Sequence, residues 1–505
     1  MIRISSTVLL FLAVDLCLTA APDDTTHFRW QDNDFRFSHT DLEIRGTVAF
    51  ADNDADVNSI SKDGYFRLEQ WSVSPGRTYL VRPGANGIER LYSVDGVSKI
   101  LDADGRAWLA RVLPGVIRES AIGAPERVKR ILRQQGASGV LAEINKIHSD
   151  HSRRVYLENL LDYGNLNSAD LSESMRLGRK ISSDGEKAGL LMAAASHYQK
   201  SAVRESFFDS INTISSDGEH RRVLAYVLER YGPDHETLAL VLRSAKLISS
   251  DGEKATVLVQ AADSRLADSI LRSNYFRAAD SISSDGEHRR VLLAALKKNG
   301  ADKDVVARTL RSAAGISSNG EKSAVLNEAA GFYVDDSVVR KAYFDTAATI
   351  DSDGERHHVL SALLRKADWG ADTLGEVAKS AGHMSSDGEK AAVLVAMADS
   401  ASRDHGVEEA LIAAADTISS DGEHGHVLMA ALKAGTPAGD SVILLIHSAE
   451  KISSDGEKAR VLAAVAQRYS NNSQIVSALK SAAKSISSDG EYRRVMTALD
   501  RGSTL

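Results

Sequence analysis

The block Ser-x-Gly-Glu recurs ten times in this chain at an almost fixed spacing of 34 residues. An apolar residue stands two positions before each serine, and it is Ile in every copy except the seventh, where it is Met384. A fixed period of this length is typical of stacked-repeat architectures, in which each unit is too small to bury its own apolar face. Each unit must therefore pack against its neighbours along the chain.

Each copy of the block predicts the start of a helix. Ser216 is expected at the N-cap, Asp217 at the first helical position, where it favours the helix dipole, and Glu219 at the third. This is a capping box, in which the serine and glutamate side chains each accept a hydrogen bond from an unpaired backbone N–H of the first turn. The same capping roles are predicted for Ser183 and Glu186, Ser216 and Glu219, Ser250 and Glu253, Ser284 and Glu287, Ser318 and Glu321, Ser352 and Glu355, Ser386 and Glu389, Ser420 and Glu423, Ser454 and Glu457, and Ser488 and Glu491.

Two helices fit within each period. After Ser216 an apolar face follows at Val223-Leu224 and Val227-Leu228, then a turn, then a second apolar stretch over about 237–248. Such a helical hairpin has to stack on the next one to bury its apolar face. The sequence thus predicts an α-solenoid of about ten to eleven αα-hairpins over residues 119–505, HEAT-like in general shape.

A second pattern doubles the period to 68 residues. The residue after the glutamate is Lys in odd copies, whereas even copies carry His220, His288, Arg356, His424 and Tyr492. The helix before an even block also carries a bulky pair, which is expected in the core between repeats. These pairs are Phe207-Phe208, Tyr275-Phe276, Tyr343-Phe344 and Leu411-Ile412. Both features favour a four-helix module, with the 34-residue hairpin as the alternative.

The first quarter of the chain has a different pattern. Apolar and polar residues alternate in Asp41–Arg45 and Tyr65–Glu69, as expected of strands with one buried face. Thr78–Arg82 and Ile88–Tyr92 flank a Gly- and Asn-containing turn, which predicts a hairpin. We therefore expect a small antiparallel β-rich domain over residues 22–118 that ends in a helix.

The N-terminus resembles a secretory signal. Arg3 precedes the apolar run Val8–Val14 and small residues follow to Ala21, which predicts a signal peptide over residues 1–21 and export, with a bacterial periplasm as the expected destination. The only cysteine, Cys17, lies inside this segment. The formal net charge of −8 argues against nucleic acid as a partner, and no later segment is long and apolar enough to predict a membrane span.

The mature chain resembles a group of bacterial envelope proteins that pair a small β-rich head with helical repeats carrying a Ser-Asp-x-Glu motif. The resemblance lies in Trp108-Leu109 with Val112-Leu113, Arg118-Glu119, Arg127-Val128, Val140–Ile144 and the ten blocks. The repeat length also equals that of tetratricopeptide repeats, although the characteristic residues of that family are missing. The resemblance implies an exported helical-repeat protein and carries over no catalytic residue.

Basic residues cluster after the even blocks and are the candidate partner-binding site. One hypothesis is a basic stripe for an acidic partner, and the alternative is a solvated helix face with ion pairs along the helix. The candidates are His220, Arg221, Arg222, His288, Arg289, Arg290, Arg356, His357, His424, Arg493 and Arg494. Successive even copies are expected about 20 Å apart, at two helix-layer spacings, which is too far to share a metal ion. No metal site and no cofactor is predicted.

Two further features have competing explanations. Glycine at the second helical position costs up to about 1 kcal/mol relative to alanine, yet all ten copies keep it, which either close packing of neighbours or recent repeat duplication explains. Asp52, Asp54 and Asp56 echo a calcium loop, but Val57 stands where such a loop requires glycine, so an acidic turn between strands is favoured.

The sequence contains no P-loop, no dinucleotide-binding fingerprint and no Gly-x-Ser-x-Gly nucleophile motif. We therefore expect a non-enzymatic scaffold that binds another protein through the solenoid surface. One alternative is binding of a cell-wall or polysaccharide polymer along the basic column. A second is a secreted α/α-toroid-type enzyme that degrades glycans.

Overall fold

The computed structural model describes residues 25–32, 38–71, 75–198, 201–232, 234–264, 266, 268–365, 369–400, 404–434 and 439–502. The predicted signal peptide, residues 1–21, lies outside the described residues. The chain divides into two compact units, residues 1–210 and residues 211–505.

The first unit begins with antiparallel strands. Six of them form one sheet in the order β1-β2-β5-β6-β7-β8, and β3 pairs with β4 as a separate hairpin. The strands are β1 (Thr25–Asp32), β2 (Ser38–Arg45), β3 (Val48–Phe50), β4 (Val57–Ile60), β5 (Tyr65–Trp71), β6 (Arg77–Gly84), β7 (Gly87–Val94) and β8 (Val97–Lys99). The predicted hairpin is confirmed, since β6 and β7 pair from Arg77 opposite Val94 to Gly84 opposite Gly87.

One face of this sheet is buried against the first helix, α1 (Ala103–Ser120). Leu42, Phe66 and Tyr79 point into a core that α1 completes with Trp108 and Leu113. The intervening residues of the strands face outward, as the period of two along a strand requires. Because buried and outward-facing residues alternate along each strand, the alternation of apolar and polar residues in the sequence predicts where the strands lie.

All further elements of the described residues are helical, apart from one short 3-10 turn at Ala195–His197. The helices are α2 (Ala124–Ile144), α3 (Asp150–Tyr163), α4 (Ser168–Gly178), α5 (Asp184–Ala194), α6 (Ser201–Ile211), α7 (Asp217–Tyr231), α8 (His235–Ala245), α9 (Asp251–Ala261), α10 (Ser269–Ala279), α11 (Asp285–Asn299), α12 (Lys303–Ala313), α13 (Asn319–Ala330), α14 (Ser337–Ala348), α15 (Asp353–Leu364), α16 (Ala371–Gly382), α17 (Asp387–Ser400), α18 (His405–Ala415), α19 (Asp421–Ala434), α20 (Gly439–Glu450), α21 (Asp455–Tyr469), α22 (Ser473–Ala483) and α23 (Asp489–Gly502). Gly136, at a φ of 68°, breaks α2 into two shorter helices.

The second unit is built from stacked helical hairpins. The helices that start at a Ser-x-Gly-Glu block, here called motif helices, pack side by side in one layer from α7 through α9 and α11 to α23. The alternate helices, from α8 to α22, form the second layer. The predicted α-solenoid with a preceding antiparallel β-rich domain is confirmed.

The core of the stack follows the sequence pattern. The apolar residue before each block is buried in all ten copies, from Ile181 to Ile486. The bulky pairs predicted for the core are buried as well, with Tyr275 and Tyr343 fully enclosed. The hydroxyl groups of these two tyrosines donate to the carbonyl oxygens of Val291 and Val359 at 3.0 Å, so that the polar ends of both side chains are satisfied.

Candidate functional site: the Ser-x-Gly-Glu edge and the motif-helix face

The serines of the blocks lie at N-caps, but their side-chain hydrogen bonds are long. Ser250 Oγ accepts from the backbone N–H of Glu253 at 3.5 Å, and in the other copies with such a bond the distance is 3.4 or 3.5 Å. Ser284 makes no side-chain cap bond. Since hydrogen bonds from N–H to oxygen are strongest near 2.9 Å, this contact contributes little to the start of the helix.

The aspartate of each block joins neighbouring repeats, a role that the sequence analysis missed. The Asp251 carboxylate accepts hydrogen bonds from the backbone N–H groups of Ser283 and Ser284 in the next repeat, at 3.0 and 2.8 Å. The same link runs from Asp150 to Ser182 and Ser183, Asp217 to Ser249 and Ser250, Asp285 to Ser317 and Ser318, Asp353 to Ser385 and Ser386, Asp387 to Ser419 and Ser420, Asp421 to Ser453 and Ser454, and Asp455 to Ser487 and Ser488. Glu119 binds the N–H groups of His148 and Ser149 in the same way.

This link corrects the predicted capping box. The N-cap N–H of Ser284 already has the Asp251 carboxylate as its acceptor, so it does not need the glutamate of its own block. The glutamates instead make contacts with arginine or histidine side chains, of which the histidines carry a charge only when protonated. Those that join one copy to the next are Arg154–Glu186, Arg221–Glu253, Arg289–Glu321 and His357–Glu389. Those within one helix are Arg222–Glu219, Arg290–Glu287, His358–Glu355, His426–Glu423, Arg460–Glu457 and Arg494–Glu491. The capping role predicted for the glutamate is therefore wrong in the copies whose serine N–H is bound by the aspartate of the preceding copy.

Replacing Asp251 with alanine should cost about 1–2 kcal/mol of stability, because two N–H groups lose their acceptor. The loss of stability for Asp251→Asn should be smaller than that for Asp251→Ala. Asn319, which stands at the equivalent position in the fifth copy, still accepts a hydrogen bond from the N–H of Asp351, at 3.2 Å. Urea unfolding of the full chain measures both changes. The matched control is Asp263→Ala, which removes an exposed ion pair with Lys298 and should cost less than about 0.5 kcal/mol. An Asp251→Ala loss no larger than that of the control would contradict the inter-repeat role.

Three of the predicted partner-binding residues lie inside the stack. His288 is 4% exposed, and its Nε2 lies 2.9 Å from Ser312 Oγ, which donates to Asp280 Oδ1 at 2.5 Å. Because the hydroxyl proton goes to the carboxylate, Nε2 is the donor to the serine. The same series of two hydrogen bonds connects His220 to Ser244 and Asn212. It also connects His424 to Ser448 and Asp416. The prediction that His220, His288 and His424 form a surface stripe is wrong.

The lysines of the odd copies occupy the equivalent buried position and make a different bond. Lys254 Nζ donates to the carbonyl oxygen and the hydroxyl of Ser281 at 3.2 and 3.1 Å. The same contact joins Lys322 to Thr349, Lys390 to Thr417 and Lys458 to Ser485. The buried polar contacts thus alternate between two kinds. The repeating chemical unit of the stack is therefore the four-helix, 68-residue module.

The sixth copy departs from this alternation in two places at once. Arg356 replaces the histidine, and Ala348 stands where two of the other modules carry aspartate. The Arg356 guanidinium donates to the carbonyl oxygen of Ile350 instead. This arginine is half-buried and bound to backbone, so it also does not belong to an open basic surface.

Burial lowers the pKa of the His288 imidazole below its ordinary value of 6.5, although Asp280, Asp285 and Asp251 favour the charged form. The unfolded chain binds a proton at the ordinary pKa, so it binds more protons than the folded chain as the pH falls below about 6.5. The contribution of the neutral histidine to stability is thus present above that pH. It is lost as the pH falls toward the lowered pKa.

We expect His288→Gln to weaken the loss of stability between about pH 7 and pH 5, because the glutamine does not titrate. Thermal unfolding of both proteins across this range measures the difference. Ser273→Ala, which changes an exposed residue of the same unit that has no titratable side chain, is the control and should leave the slope unchanged. Equal slopes for His288→Gln and the unsubstituted protein would contradict the prediction.

In the first unit, a buried ion cluster connects the β3–β4 hairpin to the helices. Arg127, 6% exposed, pairs with Asp54 and Glu143 at 2.7 Å each and lies 3.0 Å from the hydroxyl of Tyr156. Arg127 and Arg118 hold the pKa of Glu143 at about 2, against the opposing effect of burial. A charge network of this kind fixes the hairpin against α2 and α3, because any unpaired member would remain buried.

The same contacts distinguish between the two interpretations of the acidic loop, a calcium site and an acidic turn. The Asp54 carboxylate forms ion pairs with Arg127 and Arg130. The Asp56 carboxylate accepts a hydrogen bond from the Tyr79 hydroxyl and pairs with Arg90. The two carboxylates are thus bound to separate basic partners, and no group of three or more potential metal ligands occurs among the described residues. The acidic-turn interpretation is therefore favoured over a calcium site.

Close packing does not explain the glycines of the blocks. A β-carbon built on Gly218, Gly252, Gly286, Gly388 or Gly422 has no atom within 4 Å. At the other five block glycines the nearest atom is a side-chain oxygen at 3.9 or 4.0 Å, which is ordinary contact. None of the ten lies at positive φ. The packing explanation is wrong, and these glycines are open to substitution by alanine.

Comparisons with protein families and with curated proteins found no match for this chain. Among solved structures, the chain is similar to a homology model of the full-length AP-3 complex in an intermediate open conformation, with 10% identity and a TM-score of 0.25. That likeness covers 79% of this chain and 95% of the other. It is too slight to argue from, so the fold assignment depends on the helix arrangement described above.

Proposed function

We propose that this chain is an exported, non-enzymatic scaffold that binds another protein through the surface of its α-solenoid. The observation that carries the proposal is the stack of motif helices in the second unit, which presents equivalent surface positions at a regular spacing. Repeat proteins of this architecture use such extended surfaces for binding. Within the described part of the chain, no helix is long and apolar enough to cross a membrane.

The polymer alternative gains less support from the contacts. Arg222 and Arg290 are paired with the glutamates of their own helices, and Arg221 and Arg289 with those of the next copy. A column of paired charges offers little free positive potential to an anionic polymer. In the tenth copy, Arg494 is also paired, with Glu491 at 3.3 Å. Arg493 is the exception in this column, since it forms no ion pair with another described residue.

Affinity capture from a bacterial envelope extract tests the proposal, with the chain from residue 22 to residue 505 as bait. We expect one or a few proteins to be retained reproducibly, and their binding to be competed by free, untagged chain. Recovery of wall polymer alone, released at high salt, would overturn the scaffold and favour the polymer. Determining the N-terminus of the protein after expression with residues 1–21 tests export, because cleavage near Ala21 is expected.

A further inference from the structure

A second column of basic residues lies on the exposed face of three even motif helices, α11, α15 and α19. Lys297, Arg365 and Lys433 lie in or next to the last turns of α11, α15 and α19, at intervals of 68 residues. All three side chains are exposed. None of them donates a side-chain hydrogen bond to, or forms an ion pair with, another residue in the described ranges. In this they differ from the paired arginines that follow the blocks.

Each of these cations shares its helix face with a basic residue seven positions earlier. Arg290 precedes Lys297, His358 precedes Arg365 and His426 precedes Lys433. Residues separated by seven positions lie on the same side of a helix, two turns apart. The earlier residue lies near the glutamate of its own block, at 2.8 Å for Arg290 and Glu287 and at 3.9 Å for the two histidines. The later residue has no such partner in the part of the chain that the structure describes.

Small and apolar side chains lie between the two basic positions. An alanine is found four residues after the first basic residue in each helix, at Ala294, Ala362 and Ala430. On α11 the half-buried Leu293 adjoins Ala294, and the face between Arg290 and Lys297 holds a shallow depression of about 510 Å³. Met429 takes the place of Leu293 on α19. A mixed floor of this kind suits a polypeptide better than a polysaccharide, since apolar side chains can pack between its acidic groups.

We propose that Lys297, Arg365 and Lys433 form the docking site for the protein partner, and that the segment of the partner that binds there is acidic. This inference depends on the proposed scaffold function. Even motif helices are about 20 Å apart, at two helix-layer spacings, so the acidic groups recur along the partner at that interval. Charge complementarity at such a surface sets the rate of association and the choice of partner.

The test uses a fluorescent amphipathic peptide made of glutamate, leucine and alanine, and the same peptide with glutamine in place of glutamate. We expect the full chain to bind the glutamate peptide more tightly. The triple variant Lys297→Gln, Arg365→Gln, Lys433→Gln should weaken that binding by about tenfold or more. The matched control is Lys341→Gln, Lys379→Gln, Lys480→Gln, which removes equal charge from the second helix layer and should change binding by less than about twofold.

Three outcomes would overturn the docking site. The first is an equal loss in both triple variants, which would reflect net charge alone. The second is no preference for the glutamate peptide over the glutamine peptide. The third is that the full chain does not bind the glutamate peptide but binds alginate through the same three cations. That result would assign the column to a polysaccharide.

The captured partner separates this inference from the proposed function. If a protein is retained and the first triple variant leaves its binding unchanged, the scaffold function stands and the docking site is wrong. If no protein is retained at all, the scaffold function itself fails. Circular dichroism of both triple variants should match that of the unsubstituted chain, because all the altered side chains are exposed.

Discussion

Replacing Arg127 with alanine is expected to cost about 3–5 kcal/mol of the stability of the first unit, because the substitution removes one partner from a buried charge network. Asp54 keeps Arg130 and Glu143 keeps Arg118, but each loses its most buried partner. The pKa of Glu143, held at about 2 by Arg127 and Arg118, should rise in the variant. Because the folded and unfolded pKa values of Glu143 then lie closer together, the variant should lose less stability than the unsubstituted chain as the pH falls from about 5 toward about 2.

Urea unfolding followed by tryptophan fluorescence measures this loss, because three of the four tryptophans, Trp30, Trp71 and Trp108, belong to the first unit. Arg133→Ala, an exposed position in the same helix, is the control and should change stability by less than about 0.5 kcal/mol. A second variant, Arg127→Lys, keeps the charge but loses the forked geometry, so its cost should be smaller but still measurable. An Arg127→Ala chain as stable as the control would mean that the hairpin is held by its apolar contacts alone.

Replacing five block glycines together with alanine is expected to stabilise the second unit by about 2–5 kcal/mol, at about 0.4–1 kcal/mol for each position. The five are Gly218, Gly252, Gly286, Gly388 and Gly422. Alanine restricts the unfolded chain more than glycine does, and at these positions the added methyl group meets no neighbour within 4 Å. The midpoint of unfolding in urea should rise accordingly.

Gly300→Ala is the control for this prediction. A β-carbon at Gly300 would lie 2.4 Å from the Phe332 ring and 2.5 Å from the carbonyl oxygen of Leu296, so this substitution should destabilise the protein. The opposite signs of the two results would show that the block glycines are not retained for packing. An unchanged midpoint in the five-fold variant would mean that glycine in the first turn of these helices carries no cost.

Local patterns in the chain were sufficient to predict four of its eight described strands and the helical hairpins. Alternation located β2, β5, β6 and β7, because a strand with one buried face requires it. The period of 34 residues and the apolar spacing located the helical hairpins, because a hairpin of this size can bury its apolar face only by stacking. The bulky pairs such as Tyr275-Phe276 were placed correctly in the core for the same reason.

The partners of polar side chains could not be predicted in this way. Asp251 was assigned to its own helix, yet its hydrogen-bond partners, Ser283 and Ser284, are 32 and 33 residues away. His288 reads as the start of a basic run with Arg289 and Arg290, yet it is buried whereas the arginines reach the surface. Neighbouring residues on a helix point about 100° apart, and only the position of the next helix decides which of them is covered.

The sequence by itself determined that this protein is a β-rich domain followed by an array of helical hairpins, since hydrophobic periodicity and capping residues act within a few turns of the chain. Only the tertiary structure decided what the polar residues of the repeat do. In the tertiary structure the aspartates link neighbouring repeats, and the block histidines and lysines are buried in two kinds of contact that alternate along the stack. Lys297, Arg365 and Lys433 remain exposed. Such choices depend on the distances between side chains in neighbouring repeats, which no local pattern contains.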